Sequence, residues 1–315
     1  MDPTFLAANP VAQTFLGLPS SDKAIAGSVS IVGAAHGTAY GDREHEGDGR
    51  QGPDAVRRAI TAASIQVDHW DFDFDGPLLD GGALNVYDLG NLQTFHGANA
   101  DNRRVIEAAT RHVRGCGATS VLIGGDDSVA IPFMRAFDDV KALHILQIDA
   151  HLDWRDSIGD EALGYSSTMR RAAELPFVRS MTQVGLRAAG SARREEVEAA
   201  RAWGSHLVTV RQARSQGMAE IAKSIPRDGE ILIHIDCDAL DPSFCPGVNA
   251  LSPGGLTFDE VTALLAATLQ NRRLAGFSIV EFNPAGDIND MTATVVGRLV
   301  CHVLGHLARQ PGRHP

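Results

Sequence analysis

Asp149-Ala150-His151-Leu152-Asp153 sets three ligand-type side chains at alternate positions directly after an apolar run, Leu143 to Ile148. Alternate residues of an extended chain share a side, so the two aspartates and the imidazole would face one way and Ala150 and Leu152 the other. A second cluster follows the run Glu230 to Ile235: Asp236 and Asp238 share a side, Cys237 turns away as packing, and Asp241-Pro242 comes next. One aspartate at a strand end ordinarily caps a helix or fixes a turn. Two clusters of them repel strongly unless protons or cations neutralise the charge, which predicts a carboxylate-rich site for two divalent metal ions. Mostly oxygen donors with one imidazole favour Mn²⁺ over zinc. Two ions sharing a carboxylate would lower the pKa of a water between them for attack on an electron-poor carbon, so the reaction class is metal-assisted hydrolysis.

The elements that must position these residues are legible as short apolar, β-branched runs alternating with helical patterns, the mark of βαβ units and a mainly parallel sheet covered on both faces. Strands are predicted at Ser28 to Ala34, Ser64 to His69, Thr119 to Ile123, Ala142 to Ile148, Met181 to Leu186, His206 to Val210, Ile231 to Asp236 and Ala275 to Glu281. Helices should start at Gly52-Pro53-Asp54 and at Thr257-Phe258-Asp259-Glu260, a capping box, and should cover Ser191 to Trp203 and Asn289 to Leu307. Ligands of open parallel sheets sit beyond the carboxyl ends of the strands. Four predicted strand ends carry acids there: Gly124-Gly125-Asp126-Asp127-Ser128, the two metal clusters, and Glu281-Phe282-Asn283-Pro284.

With 315 residues and no evident linker, the chain is read as residues 1–27, an arm of little periodicity, and a single domain over 28–315. A net charge of -11, from 28 basic and 39 acidic residues, disfavours nucleic acid and acidic membranes as partners and favours a small cation. No stretch reads as a membrane span, and the start Met1-Asp2-Pro3-Thr4 does not look like an export signal, so a cytoplasmic enzyme is expected. The four cysteines show no paired spacing, and no disulfide is expected.

At this point the chain resembles the ureohydrolases, the arginase and agmatinase family, which hydrolyse guanidinium compounds to urea and an amine. The resemblance runs from about Ile31 to Leu307. It rests on Gly37-Thr38-Ala39-Tyr40, Gly52-Pro53, Gly124-Gly125-Asp126-x-Ser128, Asp149-x-His151-x-Asp153, Asp236-x-Asp238-x-x-Asp241-Pro242, Pro246-Gly247, Gly254-Gly255-Leu256-Thr257 and Glu281-x-Asn283-Pro284. It implies a three-layer α/β/α sandwich around an eight-stranded, mainly parallel sheet, assembled as trimers or hexamers. Asp149, His151, Asp153, Asp236 and Asp238 match the family's metal ligands, with Asp149 and Asp236 bridging, and Glu281 matches the acid that holds the guanidinium. Asp153 would also hydrogen-bond the nucleophile.

Two departures stand out. Asp127 replaces a metal-binding histidine of the family motif and is carried as a candidate ligand; the change makes Ni²⁺ an alternative to Mn²⁺. In Gly164-Tyr165-Ser166-Ser167-Thr168-Met169, Ser166 and Ser167 occupy a region where many relatives have a proton-shuttling histidine, and both serines become candidate substrate contacts. Asn249, in Val248 to Pro253, should border the substrate pocket. The loop Trp154-Arg155-Asp156-Ser157 is unlike the one with which arginases grip an amino acid, which argues against arginine and for agmatine, a guanidino acid, guanidine or a substituted guanidine or biguanide. The alternatives are a catalytically weak partner subunit working with a homologous chain, and a formimino or amide hydrolase on the same fold.

Of the other histidines, His36 is a candidate for the substrate entrance, His234 is read as a buried supporting residue rather than a ligand, and His45 as part of a solvated loop. The run Asp68 to Asp75 is read as a loop anchored by Trp70, Phe72 and Phe74.

Overall fold

The computed structural model describes residues 8–38, 40, 51–63, 65–190 and 192–310. His45, Ser64 and Ser191 lie outside the described residues. The strands are β1 (Ala8–Asn9), β2 (Val29–Ala34), β3 (Trp70–Asp71), β4 (Gly76–Pro77), β5 (Val86–Leu92), β6 (Thr119–Gly124), β7 (Leu143–Ile148), β8 (Val178–Leu186), β9 (His206–Thr209), β10 (Glu230–Asp236) and β11 (Leu274–Val280). Nine of them form one sheet in the order β1-β5-β2-β6-β11-β10-β7-β8-β9. All neighbours pair in parallel except β1, which adds two antiparallel residues to β5. The expected eight-stranded parallel sheet is therefore present, with a short antiparallel edge.

Alternation along the strands divides the core in two. Ile231, Ile233 and Ile235 of β10 join one apolar cluster, where the helices Gly52–Ala62, Val210–Gln216, Met218–Ser224, Phe258–Leu269 and Met291–Ala308 pack. Leu232, between them, joins the other, with Asn99–Gly115, Ala130–Arg135, Thr168–Ala173 and Arg194–Trp203. The helix starts follow their residue types: Pro53 opens the first, and Thr257 caps another by accepting the Glu260 N–H while the Glu260 side chain accepts that of Thr257. Met291–Ala308 is long and apolar enough by composition to cross a bilayer, but it is 72% buried within this fold, which accounts for its character.

One strand prediction needs correction, and one strand went unpredicted. Ile65 to His69 is not a strand; it turns, with Ile65 and Val67 leaning on the core. The strand beside β2 is instead β5, whose Asp88 and Asn91 hid its nature. Those polar groups are answered by the buried Arg57, which donates to Asp88 at 2.8 and 2.9 Å and to Asn91 at 2.6 Å. Asp88 also accepts the backbone N–H of Phe15 at 2.8 Å, which fixes the buried Phe15 against the domain. The acidic run near residue 70 forms the β3–β4 hairpin, held by Arg298 through Asp71 and Asp73 and by Phe74 against the rings of His302 and His306. Trp70 and Phe72 are exposed, at 57% and 90%.

The four strands that carry the acidic turns, β6, β11, β10 and β7, are consecutive in the middle of the sheet. Their carboxyl ends bring the turns together.

Candidate metal centre

Apart from Asp236, the last residue of β10, the acids are presented not by extended strands, as their alternation predicted, but by tight turns. After β10 the chain enters a 3₁₀ turn, Cys237–Ala239, and Asp236 caps it by accepting the Asp238 N–H at 2.8 Å. After β7, the N–H of His151 donates to Asp149 at 2.6 Å, and Asp153 adopts a left-handed backbone, φ 52°. Glu281, next after β11, is left-handed too, at φ 63°. Such conformations strain a residue with a side chain and gather at functional sites. Cys237 is buried in the core and stays packing.

The result is a cavity of about 370 Å³, whose lining includes Asp127, His151, Asp153, Asp236, Asp238 and Glu281. Ligand atoms of Asp149, His151 and Asp238 lie within 4.8 Å of one another, a candidate metal site. His151 Nδ1 is 2.9 Å from Asp238 Oδ2, and that carboxylate, ahead of the opposing effect of burial, lifts the imidazole to about 9. Burial, reinforced by neighbouring carboxylates, pushes Asp149, Asp153, Asp236 and Glu281 well above the usual carboxylate range. Enclosed anions that crowd one another in this way are stable when ionised only beside cations. Asp127 adds a carboxylate oxygen, Oδ2, that is buried and has no hydrogen-bond partner among the described residues. The donor set thus fits a hard or borderline divalent ion.

Beneath the cavity lies a feature that the sequence reading missed. Gln183, Gln147, His234 and Ser278 stand in register across β8, β7, β10 and β11, forming one polar rung through the sheet. Gln147 donates to Asp149 at 2.6 Å and to Asp153 at 2.8 Å. Gln183 donates to Gln147 at 2.6 Å and accepts from Trp154 and Ser205. His234 is buried, with Nε2 2.6 Å from Asp127 Oδ1. No motif announces such a rung, because it exists only once strand register is known. Arg187 was missed for the same reason: it donates to the carbonyls of Asp238 and Ser252, each at 2.6 Å, and so clamps the second acidic turn to the Ser252 loop.

Asp126 serves the loops. It accepts from the Thr38 N–H at 2.8 Å and the Ser128 N–H at 3.0 Å, and burial raises it to about 7. Gly125 must lack a side chain there, since a Cβ would meet the His36 carbonyl oxygen at 2.0 Å. His36 itself does not line the cavity: it is buried, its ring held by Asn102 and Thr38. Of the two serines, Ser166 faces the cavity, with its N–H on the Tyr40 hydroxyl, whereas Ser167 is buried behind it. Asn249 lies at the exposed mouth, bonded to Asn283 at 2.7 Å, beside Ala250, Ile158, Tyr165 and Arg155.

A fold with an acidic, cation-seeking cavity at the centre of a parallel sheet defines a class, and comparison supplies its name. The model of the arginase family matches residues 28–305. The N(1)-aminopropylagmatine ureohydrolase of Thermus thermophilus is 32% identical over 68% of this chain and 71% of its own length. The guanidinobutyrase of Pseudomonas aeruginosa is 26% identical over 94% of this chain and 89% of its own. Among solved structures, the proclavaminate amidino hydrolase of Streptomyces clavuligerus superposes with a TM-score of 0.84 at 23% identity, covering 95% of this chain and 98% of that one. The chain belongs to the arginase family and is an amidinohydrolase.

Proposed function

We propose that this enzyme hydrolyses a C–N bond of a small cationic guanidino compound, giving urea and an amine or ammonia, with two divalent ions, Mn²⁺ or Ni²⁺, held by Asp127, Asp149, His151, Asp153, Asp236 and Asp238. The observation that carries this reading is the gathering of the Asp149, His151 and Asp238 ligand atoms at a cavity that Glu281 also faces. When bound, such ions supply Lewis acidity and bring water into the range where it acts as a nucleophile near neutral pH.

The chain's own groups do the rest. Glu281, set among other carboxylates, becomes fully anionic when a guanidinium enters, and the pairing fixes the planar carbon over the acids. Asp153, pinned by Gln147, is placed to accept a proton from the attacking water and return it to the departing amine nitrogen as the C–N bond breaks. Ile158, Tyr165, Ala250 and Asn249 shape the space left for the substrate's tail.

Urea release should be measured with agmatine, 4-guanidinobutanoate, guanidine and substituted guanidines, each in Mn²⁺, Ni²⁺ and Co²⁺. Turnover of one substrate supports the reading. Silence across the whole panel with two ions bound per chain overturns it.

A further inference from the structure

We infer that His234 is a positioning residue that aims Asp127 at a metal ion, an assignment that rests on the two-metal reading above. His234 is fully buried in β10, with Nε2 2.6 Å from Asp127 Oδ1 and Nδ1 2.8 Å from the Ser278 hydroxyl. An ionised carboxylate only accepts, so Nε2 carries the hydrogen, and Nδ1 then accepts from Ser278, which can donate. Asp127 thereby sets the tautomer, and the rung neighbour Ser278 helps to fix the ring plane.

The backbone of Asp127 is tied as well. Its N–H donates to Glu281 at 2.8 Å, and its carbonyl accepts from the Thr168 hydroxyl at 3.3 Å. N–H, carbonyl and Oδ1 are all engaged, which restrains the carboxylate, and Oδ2 is left buried without a donor among the described residues. A buried carboxylate oxygen in that condition is unfavourable unless a cation meets it. A histidine whose only task was to neutralise a core aspartate would be expected to find that aspartate's second oxygen satisfied by the protein. Here the second oxygen belongs to a residue lining the cavity. The imidazole thus stands behind the candidate ligand and holds the orientation of its carboxylate.

The test uses full-length protein stripped with a chelator and titrated with Mn²⁺ by calorimetry, with bound metal counted by mass spectrometry. Wild type should take up two ions. His234→Phe, which keeps a ring but removes both nitrogens, should weaken one ion about 10–100-fold and leave the other unchanged. Asp127→Asn, which keeps an acceptor for His234 but removes the anionic oxygen, should weaken the same ion. The double variant should be no worse than the more affected single one, and His234→Gln, which restores an N–H, should recover part of the loss. If His234→Phe does not fold, Asp127→Asn and His234→Gln decide: wild-type binding of both ions by Asp127→Asn refutes the assignment. So do two tight ions in His234→Phe, or equal weakening of both ions. Wild type that binds no ion overturns the two-metal reading instead, and this inference with it.

Discussion

Glu281 accepts the backbone N–H of Asp127 at 2.8 Å, so one acid lining the central cavity is braced by the main chain of another. Glu281→Gln keeps that acceptor and the shape of the side chain while removing the charge. Transition-state stabilisation should fall by about 2–5 kcal/mol, as for loss of one partner of an enclosed charge pair. Steady-state kcat/KM on the preferred guanidino substrate, alongside metal content, checks this; unchanged kinetics would remove Glu281 from substrate binding.

Metal-free protein should lose stability as the pH rises. A carboxyl whose pKa is raised by folding keeps its proton after the unfolded chain has released its own, so unfolding is favoured from about pH 4 upward until the native group also ionises. Asp126 contributes this between 3.8 and about 7, and Asp149, Asp153, Asp236 and Glu281 act in the same direction. The raised His151 stabilises fully below 6.5 and loses that contribution as the pH passes about 9. Melting temperature after chelation should therefore fall from pH 5 to 8. Saturating Mn²⁺ should oppose the fall, because ions displace protons and bind more tightly at higher pH.

Gln147→Leu removes one donor from two carboxylates at once. Divalent ions should bind about 10–100-fold more weakly, measured by competition with a chelating dye. A variant with wild-type affinity would mean that the turn alone orients Asp149 and Asp153.

Asp88→Ala should cost about 3–5 kcal/mol, since it strips Arg57 of its buried carboxylate partner. Asp54→Ala, which removes the exposed carboxylate 3.5 Å from the same guanidinium, should cost about 0–1 kcal/mol. Denaturant midpoints of the two variants give the comparison.

What could be read from the amino acids was the part governed by local pattern. Apolar runs marked seven of the parallel strands, and acids at their ends marked the site. The strand β5 escaped because Asp88, Gly90 and Asn91 break its apolar run, and Arg57 and Phe15, distant in sequence, supply the partners that make them acceptable inside. Ile65 and Val67 gave a false strand because a turn can lean two apolar side chains on a core. His36 and Ser167 were near the site in sequence but are turned into the protein. The partner of Asp127 could not be assigned beforehand, since His234 and Ser278 meet through pairing of β10 with β11.

Both rims of the main sheet are brief. The two residues of β1 finish one side along β5, and the four of β9 finish the other. Strands this short offer a neighbouring chain little open backbone to zip onto. Among the described residues, a second copy approaching either rim would therefore meet mainly side chains of helices and loops rather than a long open strand.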